Sequence, residues 1–193
     1  MQRSLAFITA LLLGAAPATA AAQGLGIKGG LSYGNVTNRG VLPGSLQERT
    51  GFAAGLAVGS TRSLLGLGVE GLYAQRGVQS ANNGASRKLD YIDVPVYLRA
   101  TFPTPSLAPF AYAGPQVSFE IRCRTGSGAC PDTDRPKTST AAVIGGGVRL
   151  GAHSAFTVEG RYVYGLTDLK LSTVTSAENY KTRSFLILAG FEF

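Results

Sequence analysis

Alternation of apolar and polar residues recurs eight times along this chain, and nothing else in the sequence limits its folds so severely. The stretches are 24–35, 50–60, 64–78, 89–102, 109–123, 139–150, 155–166 and 183–193. A period of two is that of an extended strand, whose successive side chains point to opposite faces, and helical spacing is almost absent. The connections alternate in kind. VTNRGVLPGSLQER, QSANNGASRK, CRTGSGACPDTDRPK and TDLKLSTVTSAENYK, after the first, third, fifth and seventh stretches, are long and polar, whereas STRS, PTPSLA and GAHS are tight turns. Long loops at one end and short turns at the other predict an all-β fold, an eight-stranded antiparallel up-and-down transmembrane β-barrel.

The charges show which solvent the apolar face meets. Leu65, Leu67, Val69 and Tyr73 share one face of the third stretch, while Glu70 and Arg76 share the other. Ile92, Val94, Val96, Leu98 and Phe102 likewise oppose Asp93 and Arg99, and Ala113, Val117, Phe119 and Ile121 oppose Glu120 and Arg122. Phe156, Val158, Tyr162 and Tyr164 oppose Glu159 and Arg161. A lipid-facing Arg or Lys at the bilayer midplane costs about 2–4 kcal/mol, so a bilayer demands this segregation. The final TRSFLILAGFEF sets Phe185, Ile187, Ala189, Phe191 and Phe193 against Glu192. On a soluble edge strand that face invites aggregation; against lipid, in a closed barrel, it is stable. A soluble periplasmic ligand-binding barrel of lipocalin architecture is the inverted alternative, with the apolar face inward.

The chain opens with MQRSLAFITALLLGAAPATAAAQ, a basic start, an apolar run too short to span a bilayer and small residues before Gln23. That is the layout of a secretory signal peptide. Residues 1–22 are therefore expected to be cleaved, leaving 23–193 as one barrel domain. No other long apolar stretch occurs, so a helical membrane protein is excluded. Charged residues make up 15% of the chain, against roughly 25% in soluble domains.

On the polar face Lys28, Arg76, Arg99, Arg122, Arg149 and Arg161 meet Glu70, Asp93, Glu120, Glu159 and Glu192. The lumen of an eight-stranded barrel is just wide enough for side chains to fill, and ions taken there from water need partners. These residues are expected to form a salt-bridge network that plugs the barrel. The alternative is a charged path in a small pore for ions or solutes, which the inward glycines 30, 34, 55, 59, 66, 68, 145 and 147 also permit by leaving room around the arginines.

With the mature N-terminus on the periplasmic side, Tyr33, Phe52, Tyr73, Phe119, Tyr164 and Phe185 gather at the loop end. Phe102, Phe156, Phe191 and Phe193 gather at the turn end, so the aromatics form two interfacial belts. Pro95 and Pro115 fall mid-strand, nearly opposite each other, and predict a bulge or a missing ladder bond between the fourth and fifth strands. Cys123 and Cys130 are the two cysteines. In an exported chain a bridge between them is expected rather than two free thiols or a metal site.

YIDVPVYLRATF, PFAYAGPQVSFEI, FTVEGRYVYGLTDL and the terminal phenylalanine together resemble the bacterial outer-membrane β-barrel family that includes the PorT-like proteins. The likeness covers essentially the whole mature chain. It implies a location in the outer membrane of a Gram-negative bacterium and insertion by the barrel assembly machinery, with Phe193 as the recognition signal. It brings no catalytic residues, and the secretion role associated with PorT itself does not transfer on pattern alone.

The leading functional expectation is a non-enzymatic, monomeric surface barrel with a structural, adhesive or interaction role through its loops. Its partners would be outer-membrane lipid and lipopolysaccharide, whose phosphates suit the loop-side bases Arg39, Arg49, Arg87, Lys88, Arg124, Arg135, Lys137, Lys170, Lys181 and Arg183. Nucleic acid is not expected despite a formal net charge of +7, because no basic stripe with stacking aromatics is present. A lipid A-modifying enzyme would need a Ser, His and acid set. The single histidine, His153, beside Ser154 and near Glu159, falls in a short turn at the periplasmic end, away from that substrate. GIKGG and IGGGVRLG lack the strand, turn and helix context of a nucleotide site. No catalytic residue, cofactor or metal site is assigned.

Overall fold

A computed structural model describes residues 23–36, 46–60, 64–80, 86–102, 104, 107–125, 128–129, 137–151, 154–167 and 182–193. The expected signal peptide at 1–22 lies outside them, as does most of the long connections. The described strands are β1 (Gln23–Val36), β2 (Leu46–Ser60), β3 (Leu65–Ser80), β4 (Ser86–Thr101), β5 (Leu107–Thr125), the short β6 (Gly128–Ala129), β7 (Thr138–Leu150), β8 (Ala155–Gly165) and β9 (Thr182–Glu192). Each barrel strand pairs antiparallel with its neighbours, and β6 only folds back on the end of β5. The order β4-β3-β2-β1-β9-β8-β7-β5 closes because β4 also pairs β5. Eight strands thus form a closed wall.

Closure explains the chain end. β9 docks on β1 from Gly26↔Glu192 to Val36↔Thr182, and Phe193 N donates to Leu25 O. No long edge is left unpaired where the greasiest strand stops.

The faces sort as period two requires. Along β8, Ala155, Thr157, Glu159, Arg161 and Val163 are buried while Phe156, Val158 and Tyr162 are exposed. Leu67 is 66% exposed and Glu70, on the other face of β3, is 2% exposed. Most large apolar side chains face outward, while the buried ions lie inside beside an apolar cluster that includes Val143, Val163, Leu186 and Leu188. All the belt aromatics point outward. Register places Phe156 opposite Phe191 near the turns and Tyr33 opposite Phe185 near the loops.

Three irregularities interrupt the described wall: the register of β2 with β3 shifts between Glu48 and Ala53, and the other two lie on β4. Its register with β5 runs Tyr91↔Glu120 and then Asp90↔Arg122, so Ile121 is the extra residue of a bulge. Near Pro95 the ladder to β3 has no pair between Val69↔Val96 and Leu72↔Asp93, and the ladder to β5 has none between Pro95↔Gln116 and Leu98↔Ala113. Pro95 faces the lumen and is fully buried. It brings no N–H to either neighbour.

Candidate functional site

Among the described residues the lumen gathers most of the buried charged side chains, which stack in three levels. At mid-height, Lys28 on β1, Glu70 on β3 and Glu159 and Arg161 on β8 form a closed ring. Lys28 Nζ lies 2.7 Å from Glu70 Oε1 and 3.2 Å from Glu159 Oε2. Arg161 Nη2 lies 2.6 Å from Glu70 Oε2 and 2.8 Å from Glu159 Oε1. Two cations alternate with two carboxylates, so each charge has opposite charge on both sides. That arrangement offsets the desolvation that an isolated buried ion would suffer.

Two tyrosines complete the ring. Tyr97 Oη donates to Glu70 Oε1 at 2.7 Å and Tyr112 Oη donates to Glu159 Oε1 at 3.1 Å, while Arg161 Nε donates to Tyr112 Oη at 2.7 Å. Their rings fill space that glycines leave. A Cβ at Gly68 would meet the Tyr97 ring at 2.4 Å, and one at Gly145 would meet that of Tyr112 at 2.3 Å. The expectation that inward glycines leave room around the arginines is therefore corrected at these positions, where aromatic rings take the room. Neither tyrosine was expected in the network. Their signal is an aromatic on the polar face of YIDVPVYLRATF and PFAYAGPQVSFEI, in register with a glycine on the next strand.

Toward the turns, Glu192 is held by two arginines. Arg99 Nη1 donates to Oε1 at 2.8 Å and Arg149 Nε to Oε2 at 3.1 Å. The Arg99 guanidinium lies 3.9 Å from the centroid of Phe110, an inward aromatic that sequence reasoning also missed. Toward the loops, Arg76 pairs with Asp93 and stands over the Tyr91 ring.

Two expected members stand apart from these levels. Glu120 is half-buried near the upper rim. Arg122 is exposed, which corrects its assignment to the lumen. The bulge at Ile121 adds one residue, so alternation counted along β5 assigns Arg122 to the wrong face, and Arg122 shares the outer side with Ile121.

Outside the lumen, Lys88 lies directly opposite Arg124 across β4 and β5, and both are exposed. Arg183 stacks over Tyr164 on the outer face at 5.5 Å. Arg39, Arg135, Lys170 and Lys181 lie outside the described residues, as do the side chains of Arg49 and Arg87. Cys123 is buried and disulfide-bonded; Cys130 lies outside the described residues.

The charged members of the ring are committed to one another and to the two tyrosines. Glu159 is committed to Lys28, Tyr112 and Arg161, Ser154 is exposed at the turn end, and His153 lies outside the described residues. Among the described residues no group of three or more His, Cys, Asp or Glu side chains is placed to hold a metal ion.

A family model described as outer membrane protein beta-barrel domain matches residues 6–193. It supports the broad family without singling out PorT-like members. No curated protein matches the chain. The fold is similar to that of Neisserial surface protein A, with a TM-score of 0.54 and 19% identity, covering 87% of this chain and 95% of that one. It is also similar to Ail, the attachment invasion locus protein of Yersinia pestis, solved in complex with the heparin analogue sucrose octasulfate. There the TM-score is 0.50 at 16% identity, covering 89% of this chain and 99% of that one. The outer membrane enzyme PagL aligns with a TM-score of 0.48 at 13% identity over 86% of this chain and 97% of its own. At such identities the likeness is one of fold.

Proposed function

Because this chain belongs to the outer membrane protein β-barrel domain family, and so resides in a Gram-negative outer membrane, we propose that it is a non-enzymatic surface barrel that engages lipopolysaccharide phosphates. One observation carries the reading: Lys88 and Arg124 are register partners on the outer, loop-end side of β4 and β5. Like charges directly opposite on a sheet repel, and an anion bridging them removes the repulsion. Arg122 lies on the same side two residues along, opposite Asp90. Lys88 and Arg124 both lie on the loop side of the aromatic belt residue Phe119, where outer-leaflet phosphates would sit if that belt marks the interface. Guanidinium groups suit them because the planar fork binds phosphate bidentately.

The ring of Lys28, Glu70, Glu159 and Arg161 argues against a pore, since its four side chains and two tyrosines meet across the middle of the lumen. Lipid A chemistry lacks an assembled acid and base among the described residues.

The test is binding of purified lipopolysaccharide to the barrel in nanodiscs, competed by sucrose octasulfate. Lys88→Gln with Arg124→Gln is expected to weaken binding by about tenfold, each charge-assisted contact being worth about 1.5–3 kcal/mol before solvent screening. Equal affinity for dephosphorylated lipopolysaccharide would overturn the reading.

A further inference from the structure

Among the described residues, the outward positions of β8, β9 and β1 carry one charged side chain, Arg183. Its neighbour Ser184 and the partner of that serine, Val163, are both buried on the lumen side, so Arg183 shares the outer face with Phe185. Register sets three rings side by side on that face, Tyr162 on β8, Phe185 on β9 and Tyr33 on β1. Ile187 and Leu31 form the next row into the membrane. Arg183 stands one row the other way, toward the loops, opposite Tyr164, with its guanidinium 5.5 Å from the centroid of that ring. The side chain is half-buried, its Nε has no hydrogen-bond partner, and no carboxylate among the described residues pairs with it. A row of amphipathic rings marks a membrane interface, and an ionisable side chain on a lipid-facing wall calls for a partner of opposite charge.

We propose that Arg183, stacked on Tyr164, binds one phosphate of a lipid A molecule in the outer leaflet, whose acyl chains run down the wall over Phe185, Tyr33, Ile187 and Leu31. The order of side chains along the wall is the order of groups along such a lipid: a cation for the phosphate, rings at the headgroup boundary, then aliphatic side chains for the tails. A guanidinium suits the task better than an ammonium. It is weakly hydrated, it stacks on an aromatic face, and its planar fork meets two oxygens of one phosphate. The Tyr164 ring fixes the height and plane of the cation, so less side-chain freedom is lost on binding. In the strand order β9 lies across the barrel from β4 and β5, so this site is separate from the ledge of Lys88 and Arg124 and stands whether or not that ledge binds phosphate.

The test places the full barrel, with isotope-labelled arginine side chains, in phosphatidylcholine nanodiscs made with rising fractions of lipid A, and in a second series made with phosphatidylglycerol at equal charge. The Arg183 Nε–Hε resonance is identified by its loss in Arg183→Gln. It should shift saturably with lipid A and much less with phosphatidylglycerol. Tyr164→Leu keeps the cation and removes its platform, and should weaken the lipid A response about two- to fivefold, the range of an exposed cation–π contact. Lys88→Gln with Arg124→Gln should leave the Arg183 response unchanged, so that the two sites fail separately. Absence of a saturable shift, an equal response to phosphatidylglycerol, or an unaltered affinity in a folded Tyr164→Leu barrel overturns the proposal.

Discussion

Tyr97 and Tyr112 lie with ring centroids 4.6 Å apart inside the barrel, and each donates its hydroxyl to a different glutamate of the same charged ring. One contact therefore couples the packing of β4 and β5 to the ion pairs that Lys28 and Arg161 make from β1 and β8. The polar plug is a single unit, and disturbing any member should be felt by the whole barrel.

Arg161 is the member with most to lose, being 1% exposed and bound to both glutamates and to Tyr112. Arg161→Met leaves two carboxylates with only Lys28 and should destabilise by about 3–5 kcal/mol. The urea midpoint of the boiling-dependent gel shift measures it. Adding Glu70→Gln should recover part of the loss by removing one of the stranded charges.

Gly68 and Gly71 lie three residues apart on opposite faces of β3. Gly68→Val drives a side chain into the Tyr97 ring and should cost about 1–3 kcal/mol. Gly71→Val points into open space, with nothing within 4 Å of the added Cβ. It should be neutral or slightly stabilising in lipid, and thermal melts of the two variants in the same detergent give the contrast.

Planar bilayers carrying the unaltered protein should remain electrically silent. The double variant Arg161→Ala with Tyr112→Ala removes two arms of the ring and should give stepwise currents. Steps from the unaltered barrel would contradict a plugged lumen.

The gaps beside Pro95 leave β4 less firmly held at mid-membrane than β9, which pairs continuously with β1 over Glu192 to Thr182. Amides of Val96 and Tyr97 should exchange hydrogen faster than those of Ile187 and Leu188. Equal protection would mean that the missing pairs carry no local weakness.

Phe193 packs edge-on against Phe191 at 5.1 Å and faces outward at the turn end. Removing it should slow insertion by purified barrel assembly machinery in proteoliposomes, measured by the rate of the gel shift, with little effect on the unfolding midpoint of barrels that do form.

Most of the fold was legible in the residues because period two is a local property. Whether Glu159 or Val158 faces the lumen follows from alternation alone, and the bilayer forbids the opposite choice. The same rule sorted Lys28, Glu70, Arg99 and Arg161 inward and the belt aromatics outward. Tertiary structure decided what alternation cannot carry. Arg122 turned out because one extra residue at Ile121 shifts every later side chain on its strand, and a bulge is set by hydrogen bonds to a neighbouring strand. Which base meets which acid depended on strand register, which brought Glu70 within reach of residues 42 and 91 positions away. The roles of Tyr97 and Tyr112 needed the glycines opposite them, and the sharing of Glu192 between Arg99 and Arg149 needed three strands brought together. A local period names the faces; pairing across a closed wall chooses the partners.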